Sequence, residues 1–247
     1  RGGDPIPGAQ AGIERLREAG CDLLFLSNNP TRDGTAYAAT LRDLGIDVAD
    51  DEVLSAGDVT TDFLRRDHPD ADVLLIGDPG LRAQLAAADV SLTDDPARAD
   101  VLLASWTMDF DYDDLRTALA AVDDGTTFLG TDPDRTWPAG DGEHIPGSGA
   151  IIRAVAGVVD REPDAVLGKP SPQTVAAARD RLDAPLADAV IVGDRLDTDL
   201  AMGQRAGMTT VLVCSGTCDR ADVADSPVDP DHVLADLGEV GRLLAED

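Results

Sequence analysis

Apolar runs rich in Val, Ile and Leu recur along the chain, separated by segments whose apolar residues return every three to four positions. The continuous runs predict strands at residues 23–26, 73–76, 101–104, 127–129, 189–192 and 210–213. The intervening periodic segments predict helices at 9–19, 34–44, 58–66, 81–88, 112–122, 150–159, 172–182 and 197–206, the second ending on Gly45 as a C-terminal cap. Strands without polar alternation are buried on both faces, and their regular exchange with helices predicts a parallel sheet covered on each side. The expected fold class is α/β, a doubly wound, Rossmann-like core. Polar segments at 27–29, 168–172 and 193–199 lie at or beside the ends of apolar runs, and open parallel sheets bind ligands beyond their strands' carboxyl ends. Residues 58–163 separate the first of these segments from the others and carry strands and helices of their own. The expected division is a discontinuous core of 1–57 and 164–247, with 58–163 an inserted α/β domain.

Charge narrows the classes open to this protein. The 247 residues include 41 Asp and 7 Glu against 19 Arg and one Lys, a formal net charge of -28. No Lys/Arg cluster exceeds Arg65-Arg66, so the surface repels a polyanion and nucleic-acid binding is excluded. No apolar run approaches the roughly 20 residues of a membrane span. Three cysteines, Cys21, Cys214 and Cys218, are too sparse for a disulfide framework. The reading is a soluble cytoplasmic protein. Short carboxylates with almost no lysine suit a halophilic source, a cytosol at molar salt where self-repulsion is screened within about 3 Å; an ordinary acidic protein is the alternative.

Against that background Lys169 stands out. It sits between Gly168 and Pro170 before a helix start, and its ammonium suits a phosphoryl oxygen. Asp194 follows Gly193 at a strand tip, where a glycine lets backbone approach a ligand. Asp197 is placed to cap the next helix and Asp199 to lie in its first turn. Carboxylates grouped at a strand end suit a hard cation such as Mg²⁺, although a chain with 41 Asp also groups them by chance. Ser27, Asn28 and Asn29 offer hydroxyl and amide groups to an anion, or simply close a turn. Gly147, Ser148 and Gly149 either bind an anion or return the chain from insert to core. His68, His144 and His232 are scattered, and Cys214 and Cys218 lack partners at zinc spacing.

In order and spacing, three stretches together resemble one family: Leu24-Phe-Leu-Ser-Asn-Asn-Pro-Thr-Arg32, Val166-Leu-Gly-Lys-Pro-Ser-Pro172, and Ile191-Val-Gly-Asp-Arg-Leu-Asp-Thr-Asp199 with Arg205-Ala-Gly-Met-Thr-Thr-Val211. The chain is similar to the haloacid dehalogenase superfamily, specifically the NagD-like, nitrophenylphosphatase-like and phosphoglycolate phosphatase-like members with a large α/β cap after the second motif. The opening Arg1–Gly8, Thr131–Asp134 and Pro146–Ala150 also fit that pattern.

The resemblance implies Mg²⁺-dependent hydrolysis of a phosphate monoester, a small phosphorylated metabolite, through an aspartyl-phosphate. It implies that Ser27, Asn28 and Lys169 bind the phosphoryl group, that Asp194 ligates metal, and that Asp199 supports Lys169 and the metal shell. Thr131, Asp132 and Asp134 would form a substrate-facing cap loop, although the family more usually has Asn at the position of Asp132. Asn29 would be structural, and a homodimer would form through the cap. The family's first motif, Asp-x-Asp-Gly-Thr, which supplies the nucleophile and the acid/base, does not occur as such in these 247 residues; its expected place is just upstream of Arg1. Asp4 lies beyond that place and is no substitute. The expectation is therefore a fragment inactive by itself. The alternative is a catalytically incomplete phosphate-binding or interaction protein of the same fold.

Overall fold

The computed structural model describes residues 5–140 and 143–245; Asp4 and the rest of the opening turn through residue 4 lie outside them. The first half runs α1 (Ala9–Glu18), β1 (Phe25–Ser27), α2 (Gly34–Asp43), β2 (Val53–Ser55), α3 (Ala56–Asp67), β3 (Val73–Ile76), α4 (Pro79–Ala87), β4 (Leu92–Thr93) and β5 (Val101–Ala104). The second runs α5 (Tyr112–Ala121), β6 (Thr127–Gly130), a hairpin of β7 (Thr136–Gly140) and β8 (Glu143–Pro146), α6 (Ser148–Val159), β9 (Ala165–Val166), α7 (Pro172–Arg181), β10 (Val190–Gly193), α8 (Ala201–Ala206), β11 (Thr209–Val213) and β12 (His232–Leu234). The class is α/β, and outside the β7–β8 hairpin every strand pairing is parallel.

The five-stranded sheet, ordered β4-β3-β5-β6-β9, shows why its strands read as unbroken apolar runs. Side chains alternate between the two faces. Leu74, Ile76, Leu102, Ala104 and Phe128 pack on one side with α5 and α6, while Val73, Leu75, Val101, Leu103 and Leu129 pack on the other with Leu64, Leu81 and Leu85. All residues of β3 and β5 are buried. Ala165 and Val166 pair with Leu129 and Gly130 on this sheet, although the sequence assigned them to the other half of the molecule. The remaining strands form a β1-β2 pair and a β10-β11-β12 sheet. Leu26 in the first packs against a cluster of Ile191 from the second with Ala178, Met202 and Met208.

Element ends shift where caps act. Helix α3 begins at Ala56, because Ser55 Oγ accepts the Asp58 N–H at 3.1 Å while Asp58 Oδ2 accepts the Ser55 N–H at 2.8 Å. The expected helix 197–206 is instead a π-helical turn, Leu196–Leu200, leading into α8. Asp197 lies within that turn, exposed, and caps nothing. The strands β2, β4, β9 and β12 and the β7–β8 hairpin were not expected; four are only two or three residues long, too short for a period to register. Among the described residues no helix is long and apolar enough to cross a membrane.

Candidate active site

The three polar segments meet around Lys169. This residue follows β9 and is joined to Pro170 by a cis peptide. Ser171 caps α7 behind it, accepting the Thr174 N–H at 3.1 Å. The Lys169 side chain is buried, and its ammonium donates to Asp199 Oδ1 at 2.6 Å and to the Leu26 carbonyl at 3.1 Å. An ammonium has three protons to donate, so one remains for a ligand. Asp199, also buried, accepts the Arg195 N–H on its other oxygen at 3.2 Å. It thus holds the cation and the loop after β10 together.

Gly193 has a different reason from the one its sequence context suggested. A side-chain carbon there would overlap Cβ and the carboxylate of Asp199, so the glycine admits Asp199 rather than a ligand. Asp194 Oδ2 accepts the Thr217 N–H at 2.7 Å. Its Oδ1 has no hydrogen bond among the described residues. Those residues contain no group of three His, Cys, Asp or Glu able to hold a metal ion. Mg²⁺ takes one or two carboxylates, with waters and phosphate oxygens completing its octahedron. Asp194 Oδ1 fits as one such ligand, and the described residues offer no protein cage.

Ser27 ends β1, and its Oγ accepts the Asn29 N–H at 3.2 Å. Asn28 is buried and fully engaged: Oδ1 accepts the Lys169 N–H at 2.8 Å, and Nδ2 donates to the Lys169 carbonyl at 3.2 Å and to Asp134 Oδ1 at 3.3 Å. Its side chain therefore clamps the Lys169 loop, leaving main chain rather than amide to meet an anion. Asn29 Oδ1 accepts the Thr31 N–H at 2.9 Å and the Thr31 hydroxyl at 2.8 Å, a local turn.

The loop after β6 comes to the same place. Gly168 lies against Asn28 Oδ1, the Thr131 carbonyl and Asp132 Cβ so closely that a side chain there would strike all three. Thr131 and Asp132 are buried, with Thr131 Oγ1 at 3.0 Å from Ser105 Oγ and 3.1 Å from Asp132 Oδ2. Burial, with the charge of Asp134 beside it, pushes the Asp132 carboxyl up to about 7. Asp134 reaches furthest, bonding Asn28 and pairing with Arg195 at 3.3 Å. Burial raises its pKa too, opposed chiefly by Arg195. Gly147 and Gly149 spend their N–H groups on the Arg135 and Asp134 carbonyls, both at 2.9 Å. They return the chain; they do not bind an anion.

Ser27, Asn28, Lys169, Asp199 and Asp134 thus form one connected set, with Asp194 one residue from Arg195, while Thr131 and Asp132 stand behind Asp134. The sequence reading assigned no role to Arg195, the partner of Asp134. Its one signal was adjacency to Asp194. Cys21, Cys214 and Cys218 are free and half-buried.

Comparison with known proteins agrees with this geometry. A haloacid dehalogenase-like hydrolase model matches residues 1–91, and a second, HAD-hydrolase-like, matches 166–240. The chain is 31% identical over 237 residues to an acid sugar phosphatase of Staphylococcus epidermidis, covering 96% of this chain and 90% of that protein. It is 29% identical over 238 residues to a dihydroxyacetone phosphatase of Corynebacterium glutamicum, covering 96% and 85%. The solved p-nitrophenyl phosphatase from Archaeoglobus fulgidus superposes with a TM-score of 0.89 at 35% identity, covering 97% and 92%. The chain belongs to the haloacid dehalogenase-like hydrolase family.

Proposed function

We propose that this phosphatase hydrolyses the monoester of a small phosphorylated metabolite with Mg²⁺, through an aspartyl-phosphate. The observation that carries the reading is the Lys169 ammonium, buried and held by Asp199 and the Leu26 carbonyl, with one proton uncommitted beside Ser27. The names of the relatives support the substrate class.

In this reading the phosphoryl group sits against Ser27 Oγ and the Asn28 main chain, where the developing charge on its oxygens is met by fixed donors and one buried cation. Lys169 neutralises the phosphoryl oxygens, Asp199 holds it aimed, and Asp194 would hold the magnesium ion. Bound there, the ion supplies positive charge to the same oxygens. The five-stranded sheet with its helices is the cap, which delivers Asp134 to the site's edge, and Asp134 with Arg195 sets where the rest of the ester lies. The nucleophile and the acid/base belong to the Asp-x-Asp-Gly-Thr motif, which these residues do not contain.

p-Nitrophenyl phosphate tests this directly. An apolar strand ending in Asp-x-Asp-Gly-Thr, joined ahead of Arg1, is expected to give Mg²⁺-dependent nitrophenol release that Lys169→Ala or Asp194→Ala abolishes. No release from the extended chain, or release by the 247 residues alone, contradicts the mechanism. Phosphate binding with no turnover in the extended chain would instead make this a binding protein.

A further inference from the structure

One buried hydroxyl beside the site is left over. Tyr37 stands one turn into α2, and its ring packs with Phe25, Ala38, Leu41, Val48 and Val53. Its Oη is shielded from solvent and makes no hydrogen bond among the described residues. Native interiors rarely leave a hydroxyl in that state, and each case calls for a cause. The ring's surroundings give the direction. Phe25 and Ser27 are alternate residues of β1 and face the same side of the strand. A ring packed on Phe25 therefore extends along the face that carries Ser27 Oγ.

The hydroxyls of Ser27 and Thr31 lie beside Oη, with the charges of Arg32 and Asp132 in range. Thr31 gives its proton to Asn29 Oδ1 at 2.8 Å, so it can accept from Oη but has no proton left for an anion. Ser27 is committed only as an acceptor, from the Asn29 N–H at 3.2 Å, and its own proton has no acceptor among the described residues. The two unfinished hydroxyls, one on α2 and one at the end of β1, are neighbours, and that of Ser27 borders Lys169.

We propose that Tyr37 is a positioning residue for phosphate: its O–H donates to Ser27 Oγ as Ser27 turns its own proton toward a phosphoryl oxygen. The inference rests on the reading of Ser27 as a phosphate ligand and extends the site by a residue that never touches the substrate. No covalent bond changes. Each donation polarises the next, so a serine that receives a hydrogen bond is a better donor to the anion. Burial raises the phenol to about 12, so it remains protonated at any pH where the site would work. Filling the phenol's donor capacity only when an anion arrives ties phosphate binding to the ordering of β1 against α2.

Calorimetric titration of the 247-residue protein with inorganic phosphate, Mg²⁺ present, tests this. Tyr37→Phe keeps the ring and its packing. It is expected to weaken phosphate about 3- to 10-fold, the range of one neutral hydrogen bond, without lowering Tm. In a Ser27→Ala background the same substitution should change nothing further, whereas in a Thr31→Val background its effect should persist. Wild-type affinity in Tyr37→Phe, additivity with Ser27→Ala, coupling to Thr31 instead, or a fall in Tm would each overturn the inference. If the wild-type protein binds no phosphate, the reading of the site itself fails and this inference falls with it.

Discussion

Asp132 shows how a single buried group makes stability depend on pH. Its carboxyl sits at about 7 in the folded protein, against about 3.9 for an unperturbed aspartate. The folded state holds the proton more tightly, so this group's stabilising contribution is complete below about pH 4. It is lost as pH rises toward 7, and level above that. Asp132→Asn keeps the shape and stays neutral, and the Ser105–Thr131 hydroxyl pair can reverse to accept from an amide. Thermal melts should find the variant more stable than wild type at pH 8, on the order of 5 °C, and nearly equal at pH 4. An unchanged difference across that range would contradict the assignment. Gly193→Ala should act in the opposite direction. Its new methyl would displace Asp199 from Lys169, costing about 1–3 kcal/mol as overpacking, seen as a lower Tm at every pH. At this scale Lys169 was legible, because a chain with no other lysine makes that one conspicuous. Gly193 was misread: nothing local told that the atom pressing on it would be Asp199, six residues on. Tyr37 was invisible, since an unpartnered hydroxyl exists only once β1 and α2 are packed.

Among the elements, β3 and β5 were read to the residue, because both faces of those strands are covered and no polar position interrupts them. The two- and three-residue strands β2, β4, β9 and β12 owe their state to pairing partners rather than to local pattern. The π-helical turn Leu196–Leu200 was missed for a similar reason. Asp199 turns inward to Lys169 and to the Arg195 N–H, and the first turn widens where an ordinary helix was expected. The loop after β6 is held by ties to other elements: Asp134 to Asn28 and Arg195, and Gly147 and Gly149 to its carbonyls. Removing Asp134 with Asp134→Ala should let that loop open more often. The Gly147 and Gly149 amides are then expected to exchange with solvent several-fold faster, with β5 amides unaffected. Equal protection in both proteins would show that the Asp134 contacts do not hold the loop.

For the whole molecule the decisive number is the net charge of -28. At low ionic strength that charge repels itself across the surface, whereas molar salt screens it within about 3 Å. We infer a protein suited to high salt, whose Tm should rise between 0.1 and 2 M KCl by on the order of 10 °C. A flat or falling Tm would mean that the acidic surface has another cause. The same charge makes the site's cations matter more, because an approaching phosphate meets a negative exterior and finds Lys169 and Arg195 only at the end of its path. The central claim is that this end is a phosphate site, and one titration reaches it directly. Inorganic phosphate should bind the protein in 2 M KCl with Mg²⁺, and Lys169→Met combined with Asp199→Asn, which removes both buried charges without orphaning either, should weaken it at least about tenfold, ~1.4 kcal/mol. Undiminished binding in that double variant, with its fold intact, would contradict the account.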